Sequence, residues 1–194
     1  MKPISISLSP NTEKDDVWLA FKLIFQPWRW KRGKAIEELG KEFKNYLGVK
    51  YAFSFNSGRS AFMAILKALS LGRGRASTEL EPDEVLLQAF TCNAVPNPII
   101  WSGLEPVYVD CSEDDFNIDI EDLKRKITHS AISGQASKSK AVVIQHTFGL
   151  PANIDEVLRI CQENNLILIE DCAHSLGAKY KGKLVGTFGK AAFF

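Results

Sequence analysis

Apolar residues recur along this chain of 194 residues with two periods, a helical one and a two-residue one, and the stretches alternate. Between Lys34 and Leu47, the residues Ile36, Leu39, Phe43 and Leu47 fall at helical spacing with charges between them and Gly48 just after. That spacing predicts an amphipathic helix stopped by glycine. Tyr51 to Phe55 alternates and reads as a short strand. After Asn56-Ser57-Gly58, the run Ser60 to Leu69 is apolar on nearly all sides and predicts a buried helix. The polar stretch Gly72 to Asp83 predicts a loop, followed by a strand at Val85 to Gln88, a helix near Asn93 to Ser102 and a strand at Pro106 to Asp110.

The alternation continues. Asn117 and Asp119 precede a helix expected over Ile120 to Ile127, where either side chain can cap the exposed first-turn amides. His129 to Lys140, small and polar without period, predicts a mobile surface loop. Ala141 to Gln145 and Leu166 to Ile169 are continuously apolar strands flanking a helix at Ile154 to Glu163, with Asp155 in its first turn. Strands apolar on both faces belong to a sheet covered by helices on both sides, so the fold class is α/β with a mostly parallel sheet. Ala191 to Phe194 reads as a strand broken off in mid-run, an apolar edge that invites aggregation, so the chain is expected to be the front part of a larger unit.

Composition narrows the partners. With 24 Lys+Arg against 23 Asp+Glu and a net charge of +1, the chain offers no electrostatic footprint for nucleic acid. Cys92, Cys111, Cys161 and Cys172 lack CxxC spacing, and His129, His146 and His174 complete no zinc pattern, so no metal is expected and a reducing cytoplasm fits best. MKPISISLSP lacks the apolar core of a signal peptide. Val17 to Phe25 is apolar but interrupted by Lys22 and too short to cross a bilayer. With the Trp-rich and basic Gln26 to Arg32 behind it, Val17 to Arg32 could touch a membrane surface; the weak patterning favours a helix packed on its own domain or on a partner subunit.

Three places carry candidate chemistry. In the turn Ser57-Gly58-Arg59-Ser60, a glycine and free helix-start amides make an anion site, although a strand-to-helix turn needs Gly and Ser for steric and capping reasons anyway. At Glu170-Asp171-Cys172-Ala173-His174, Asp171 and His174 lie beyond the carboxyl end of the most apolar strand, where open α/β sheets bind ligands. A buried carboxylate there needs a partner, such as a protonated pyridine nitrogen, and a charge-assisted hydrogen bond to one contributes about 1.5–3 kcal/mol. The alternative is that Asp171 caps the next turn and His174 is a satisfied core imidazole. Third, Gln145 to Pro151 and Gly182 to Gly189 hold Gly and Pro that mark sharp turns beside that place.

In this order and spacing, the pieces resemble the DegT/StrS family of pyridoxal-phosphate-dependent aminotransferases that act on nucleotide-linked keto sugars. The resemblance runs from about Gly33 to Phe194. It rests on Ser57 to Ala61, Gln88 to Asn93, Gly103 to Asp110, His146 to Pro151, Glu170 to His174 and Val185 to Gly189. It implies a fold type I large domain, with residues 1–33 as an N-terminal arm and helix and 34–194 as the incomplete cofactor-binding domain, usually in a homodimer. It further implies that Gly58, Arg59 and Ser60 hold the cofactor phosphate, that Asp171 keeps the pyridine nitrogen protonated, and that His174 lies near the ring's phenolic oxygen. Cys92 stands where many relatives stack an aromatic on the ring, with Phe90 an unaligned substitute.

The family's Schiff-base lysine belongs beyond a Ser-Phe pair after the last strand, past the end of this chain, and Lys190 reads as an exposed turn residue. The resemblance therefore implies an amino transfer with glutamate as the donor in the longer protein and an inactive fragment here. The alternative is a noncatalytic sensor or dehydratase-like relative lacking that lysine. A Rossmann domain would need a GxGxxG turn, which Ser57 to Ser60 does not supply.

Overall fold

The computed structural model describes residues 12–30, 33–69, 82–131 and 138–194. Six α-helices occur among them: α1 (Lys14–Ile24), α2 (Lys34–Leu47), α3 (Gly58–Ala68), α4 (Pro96–Trp101), α5 (Ile120–Ala131) and α6 (Ile154–Glu163). Interleaved are the strands β1 (Glu84–Gln88), β2 (Glu105–Val109), β3 (Ser139–Gln145), β4 (Ile167–Asp171) and β7 (Ala191–Phe193). A small antiparallel hairpin, β5 (Lys179–Tyr180) and β6 (Lys183–Leu184), stands apart.

The five longer strands form one all-parallel sheet in the order β2-β1-β3-β4-β7. Its central strands are apolar on both faces because both faces are covered. On one side Leu86, Val142, Ile144 and Leu168 pack with Leu123 and Ile127 of α5 and with Ile154, Val157 and Ile160 of α6. On the other, Val85, Leu87, Val143, Ile169 and Phe193 pack with Phe62 and Leu66 of α3 and Ile99 of α4. Each fully buried apolar side chain contributes roughly 1.5–3 kcal/mol, so the two layers supply most of the driving force.

Local chemistry fixes the helix ends. Ser57 Oγ accepts from the Ser60 amide at 3.3 Å, which starts α3 at Gly58, two residues before the apolar run. Asp119 Oδ1 accepts from the Asp122 amide at 2.6 Å and Asn153 caps α6. Gly48 ends α2 with φ +68, a left-handed conformation that glycine adopts without strain.

The structure departs from the pattern reading in five places. Tyr51 to Phe55 forms no strand: Tyr51, Phe53 and Phe55 are exposed, because alternation prepares a strand but pairing requires a neighbour. Only Phe62 and Leu66 of α3 are fully buried, since the helix lies on the sheet by one face. Helix α5 continues to Ala131 and β3 begins at Ser139, so the loop expected over 129–140 shrinks; residues 132–137 of it, and 72–81 of the preceding expected loop, lie outside the described residues. No residue of α1 is buried, so of the two packings expected for this helix the one on its own domain is not made among the described residues, and Val17, Trp18, Phe21 and Ile24 face outward. At Ala191 to Phe194 the side chains are covered although β7 is an outer strand of the sheet: Phe193 is buried and stacks on Phe62 at 4.7 Å, and Phe194 meets Phe43 edge-on at 4.9 Å.

Candidate active site

Asp171 closes β4 at the carboxyl edge of the sheet, with Gln145 of β3 and Phe193 of β7 as its register partners. Both neighbours bring a candidate segment to it. On the β3 side, the Thr91 hydroxyl donates to Gln145 Oε1 at 2.8 Å, which ties down the loop that carries Cys92. On the β7 side, a Cβ at Gly58 would lie 3.6 Å from the Phe194 carbonyl oxygen and 3.9 Å from Phe193 Cδ2, so the start of α3 leans on the end of β7. The structure thus brings Gly58, Cys92, Asp171 and His174 to one end of the sheet.

Asp171 is 3% exposed, and among the described residues its carboxylate takes one hydrogen bond, from the Ala173 amide to Oδ1 at 3.0 Å. The turn-capping reading therefore holds, yet Oδ2 remains available to a ligand. Burial pushes this carboxyl above the usual carboxylate range, and the Ala173 amide and the nearby His174 imidazole pull it back only partway. A cation delivered to Oδ2 would relieve that cost. His174 is exposed, which excludes the core-imidazole reading.

At the start of α3, the amides of Gly58 and Arg59 donate to no partner among the described residues, while Ser60's donates to the Ser57 cap. Arg59 is exposed and Ser60 half-buried, its hydroxyl 3.0 Å from Ser57 Oγ, so one turn presents two amides, a guanidinium and a hydroxyl shared with the cap. Such a set suits a phosphate, whose charge also complements the helix dipole. Cys92 is exposed, and its sulfur accepts from the Ala94 amide at 3.3 Å. Phe90 turns away into a cluster with Phe116 and Phe148, at ring distances of 5.4 and 6.0 Å. Lys190 is exposed, as the sequence predicts.

Two quoted residues gain a geometry that sequence reasoning did not assign. Glu170 and His146 are both fully buried, with His146 Nε2 3.2 Å from Glu170 Oε2. His146 Nδ1 accepts from the Ala152 amide at 3.1 Å, so the ring is the tautomer that donates from Nε2 to Glu170. Glu170 also accepts from the amides of Gly186, Phe188 and Gly189, each at 2.7 Å. Burial alone would raise this carboxyl; the hydrogen bonds from His146, Gly189, Gly186 and Phe188 together outweigh it and hold it below the ordinary value. Cys172 completes a cluster of possible metal ligands within 4.8 Å, but Glu170 and His146 already spend their acceptor atoms on N–H donors and burial keeps the thiol protonated, so the donor set does not suit a cation. The available sequence signal was a glutamate directly after an apolar run with a glycine pair 16 and 19 residues later.

A family model for the DegT/DnrJ/EryC1/StrS aminotransferases matches residues 12–194. GDP-perosamine synthase of Escherichia coli O157:H7 is 32% identical over 167 residues, covering 86% of this chain and 42% of that protein. Its counterpart in Vibrio cholerae is 35% identical, covering 86% and 41%. The solved aminotransferase from Psychrobacter cryohalolentis superposes with a TM-score of 0.78 at 27% identity, covering 96% of this chain and 43% of that one. An E. coli GDP-4-keto-6-deoxy-D-mannose-3-dehydratase with bound hydrated PLP gives 0.75 at 27%, covering 96% and 45%. The chain spans less than half the length of these relatives, and its helix-covered parallel sheet is the one the aminotransferases share. By sequence and by fold, the chain belongs to the DegT/DnrJ/EryC1/StrS aminotransferase family.

Proposed function

We propose that this chain is the N-terminal, cofactor-binding part of a pyridoxal-phosphate-dependent aminotransferase that acts on a nucleotide-linked keto sugar, with glutamate as the amino donor. One observation carries the reading: a buried carboxylate with an open oxygen, Asp171, lies between the Cys92 loop and the amides of Gly58 and Arg59, which have no partner among the described residues. That donor set fits pyridoxal phosphate. When bound, the cofactor supplies an electron sink for a carbon that loses a proton.

The chain's own residues do the rest. Asp171 holds a proton on the pyridine nitrogen, and its burial strengthens that charge pair by excluding water. The Gly58 and Arg59 amides, the Arg59 guanidinium and the Ser60 hydroxyl hold the phosphate. His174 faces the phenolic side of the ring, and Cys92 takes the ring-face position that an aromatic fills in many relatives. Residues 34–194 act as the cofactor-binding domain and 1–33 as an arm. The outward apolar residues of α1 support a homodimer, and four free cysteines support a reducing, cytoplasmic setting. No described helix is long and apolar enough to cross a membrane.

No lysine of this chain is assigned the covalent link to the cofactor, so the chain alone holds pyridoxal phosphate weakly and turns over no keto sugar. The visible spectrum with added pyridoxal phosphate, before and after borohydride reduction, tests this. Saturable binding without stoichiometric reduction onto one defined lysine is expected. A stable adduct at one lysine, Lys190 included, together with turnover, would overturn the reading, as would the absence of any binding at millimolar cofactor.

A further inference from the structure

Four hydrogen bonds converge on Glu170, a buried side chain that the chemistry above leaves without a task. Its setting explains the turn at Gly186 to Gly189. Gly186 has φ +83, and a Cβ there would lie 2.5 Å from Phe194 Cζ and 3.2 Å from Cys172 Sγ. A Cβ at Gly189 would lie 2.8 Å from the Leu168 carbonyl oxygen. Only glycine lets this backbone come close enough for three amides to reach one carboxylate.

The same turn delivers β7. That strand has three register pairs with β4, and its flanking bonds, Lys190 amide to Leu168 carbonyl and Cys172 amide to Phe193 carbonyl, are both 2.8 Å. So short a strand needs an anchor at its entry, and the amides bound to Glu170 are the ones just before it. Glu170 faces the α6 layer with Leu168 and Cys172, whereas Asp171 follows Ile169 toward the α3 layer. What β7 carries to that second layer is Phe193, the register partner of Asp171 and the support of Gly58.

We propose that Glu170 is a positioning residue: by gathering the amides of Gly186, Phe188 and Gly189 and the His146 imidazole, it sets β7 beside β4, keeps Asp171 buried and fixes its separation from the Gly58 turn. The part of this that concerns the cofactor rests on the reading of Asp171 given above; the part that concerns Asp171's burial does not.

The test is Glu170→Asp, which keeps the charge but is one methylene too short to meet all four donors, beside Val157→Ala, a truncation in the α6 layer as a control for general destabilisation. Two quantities are read by NMR: amide exchange at Gly186, Phe188 and Gly189, and the titration midpoint of the Asp171 carboxyl. Glu170→Asp should speed exchange at those amides at least tenfold and move the Asp171 midpoint down toward its ordinary 3.8, with neither change in Val157→Ala. An unmoved midpoint, or the same shift in both variants, would overturn the proposal.

If Glu170→Asp does not fold, the parent chain gives the answer through linkage, because pyridoxal phosphate bound at Gly58 and Asp171 must slow exchange at Gly186, Phe188 and Gly189 when the two are coupled. Slowing at Gly58 and Ala173 alone would overturn the positioning role. Where Glu170→Asp does fold, its Asp171 midpoint shift without any response to pyridoxal phosphate would sustain the positioning role and remove the cofactor reading.

Discussion

Glu170 and Asp171 are consecutive on β4, face opposite layers of the sheet, and are driven in opposite directions as acids. Among the described residues Glu170 has four donors and is held ionised; Asp171 has one, and its burial cost is only partly relieved. The first is a structural anion, and the second is a charge waiting for a partner. Environments that separate neighbouring carboxylates in this way mark functional sites more often than structural ones.

The two acids should leave opposite marks on stability. Glu170, lowered in the fold, stabilises above its ordinary 4.5 and loses that contribution as pH falls through its folded value. Asp171, raised in the fold, costs stability at neutral pH and ceases to do so as pH falls toward its ordinary 3.8. Asp171→Asn should therefore stabilise the cofactor-free chain at pH 7, with the advantage shrinking toward acid. Urea unfolding at a series of pH values checks this; a destabilised Asn variant at pH 7 would contradict it.

Loss of anion contacts should separate from loss of the helix cap. Arg59→Ala should leave the unfolding free energy within about 0.5 kcal/mol of the parent, as exposed substitutions do, while weakening pyridoxal phosphate binding several-fold. Ser57→Ala should cost about 1 kcal/mol, because the Ser60 amide loses its acceptor. Paired unfolding and binding titrations would show whether the two effects come apart.

Three glycines should rank by what a methyl group would meet. At Gly182, φ is +84 with nothing within 4 Å, so Gly182→Ala should cost only the left-handed backbone penalty of about 1–2 kcal/mol. Gly186→Ala adds a collision with the far end of the Phe194 ring and a close approach to the Cys172 sulfur, both side-chain atoms that can shift. Gly189→Ala meets the Leu168 backbone carbonyl, which cannot, and should be the most damaging of the three. Equal thermal shifts for all three would count against the turn geometry.

The layered sheet was legible because burial on both faces writes itself as uninterrupted apolar runs, as in Ala141 to Gln145 and Leu166 to Ile169. Alternation in Tyr51 to Phe55 was equally plain and misled, since pairing depends on a neighbour that a local pattern does not contain. Asp171 and the Ser57 turn were visible as sequence because each is a short local feature at a strand end. The contacts that join them were not: Thr91 to Gln145, Gly58 against Phe193, and Glu170 to Gly186, Phe188 and Gly189 link residues 16 or more positions apart. Composition and spacing carry no record of such pairings.

Where pyridoxal phosphate touches this chain decides between a cofactor site at Asp171 and none. The direct measurement is the amide proton–nitrogen spectrum of the chain titrated with the cofactor to millimolar concentration. Shifts should concentrate at Gly58, Arg59, Ser60, Cys92 and Asp171 to Ser175, and Asp171→Asn should weaken the response across the whole set. Shifts confined to other segments, or an Asp171→Asn response indistinguishable from the parent, would contradict the site.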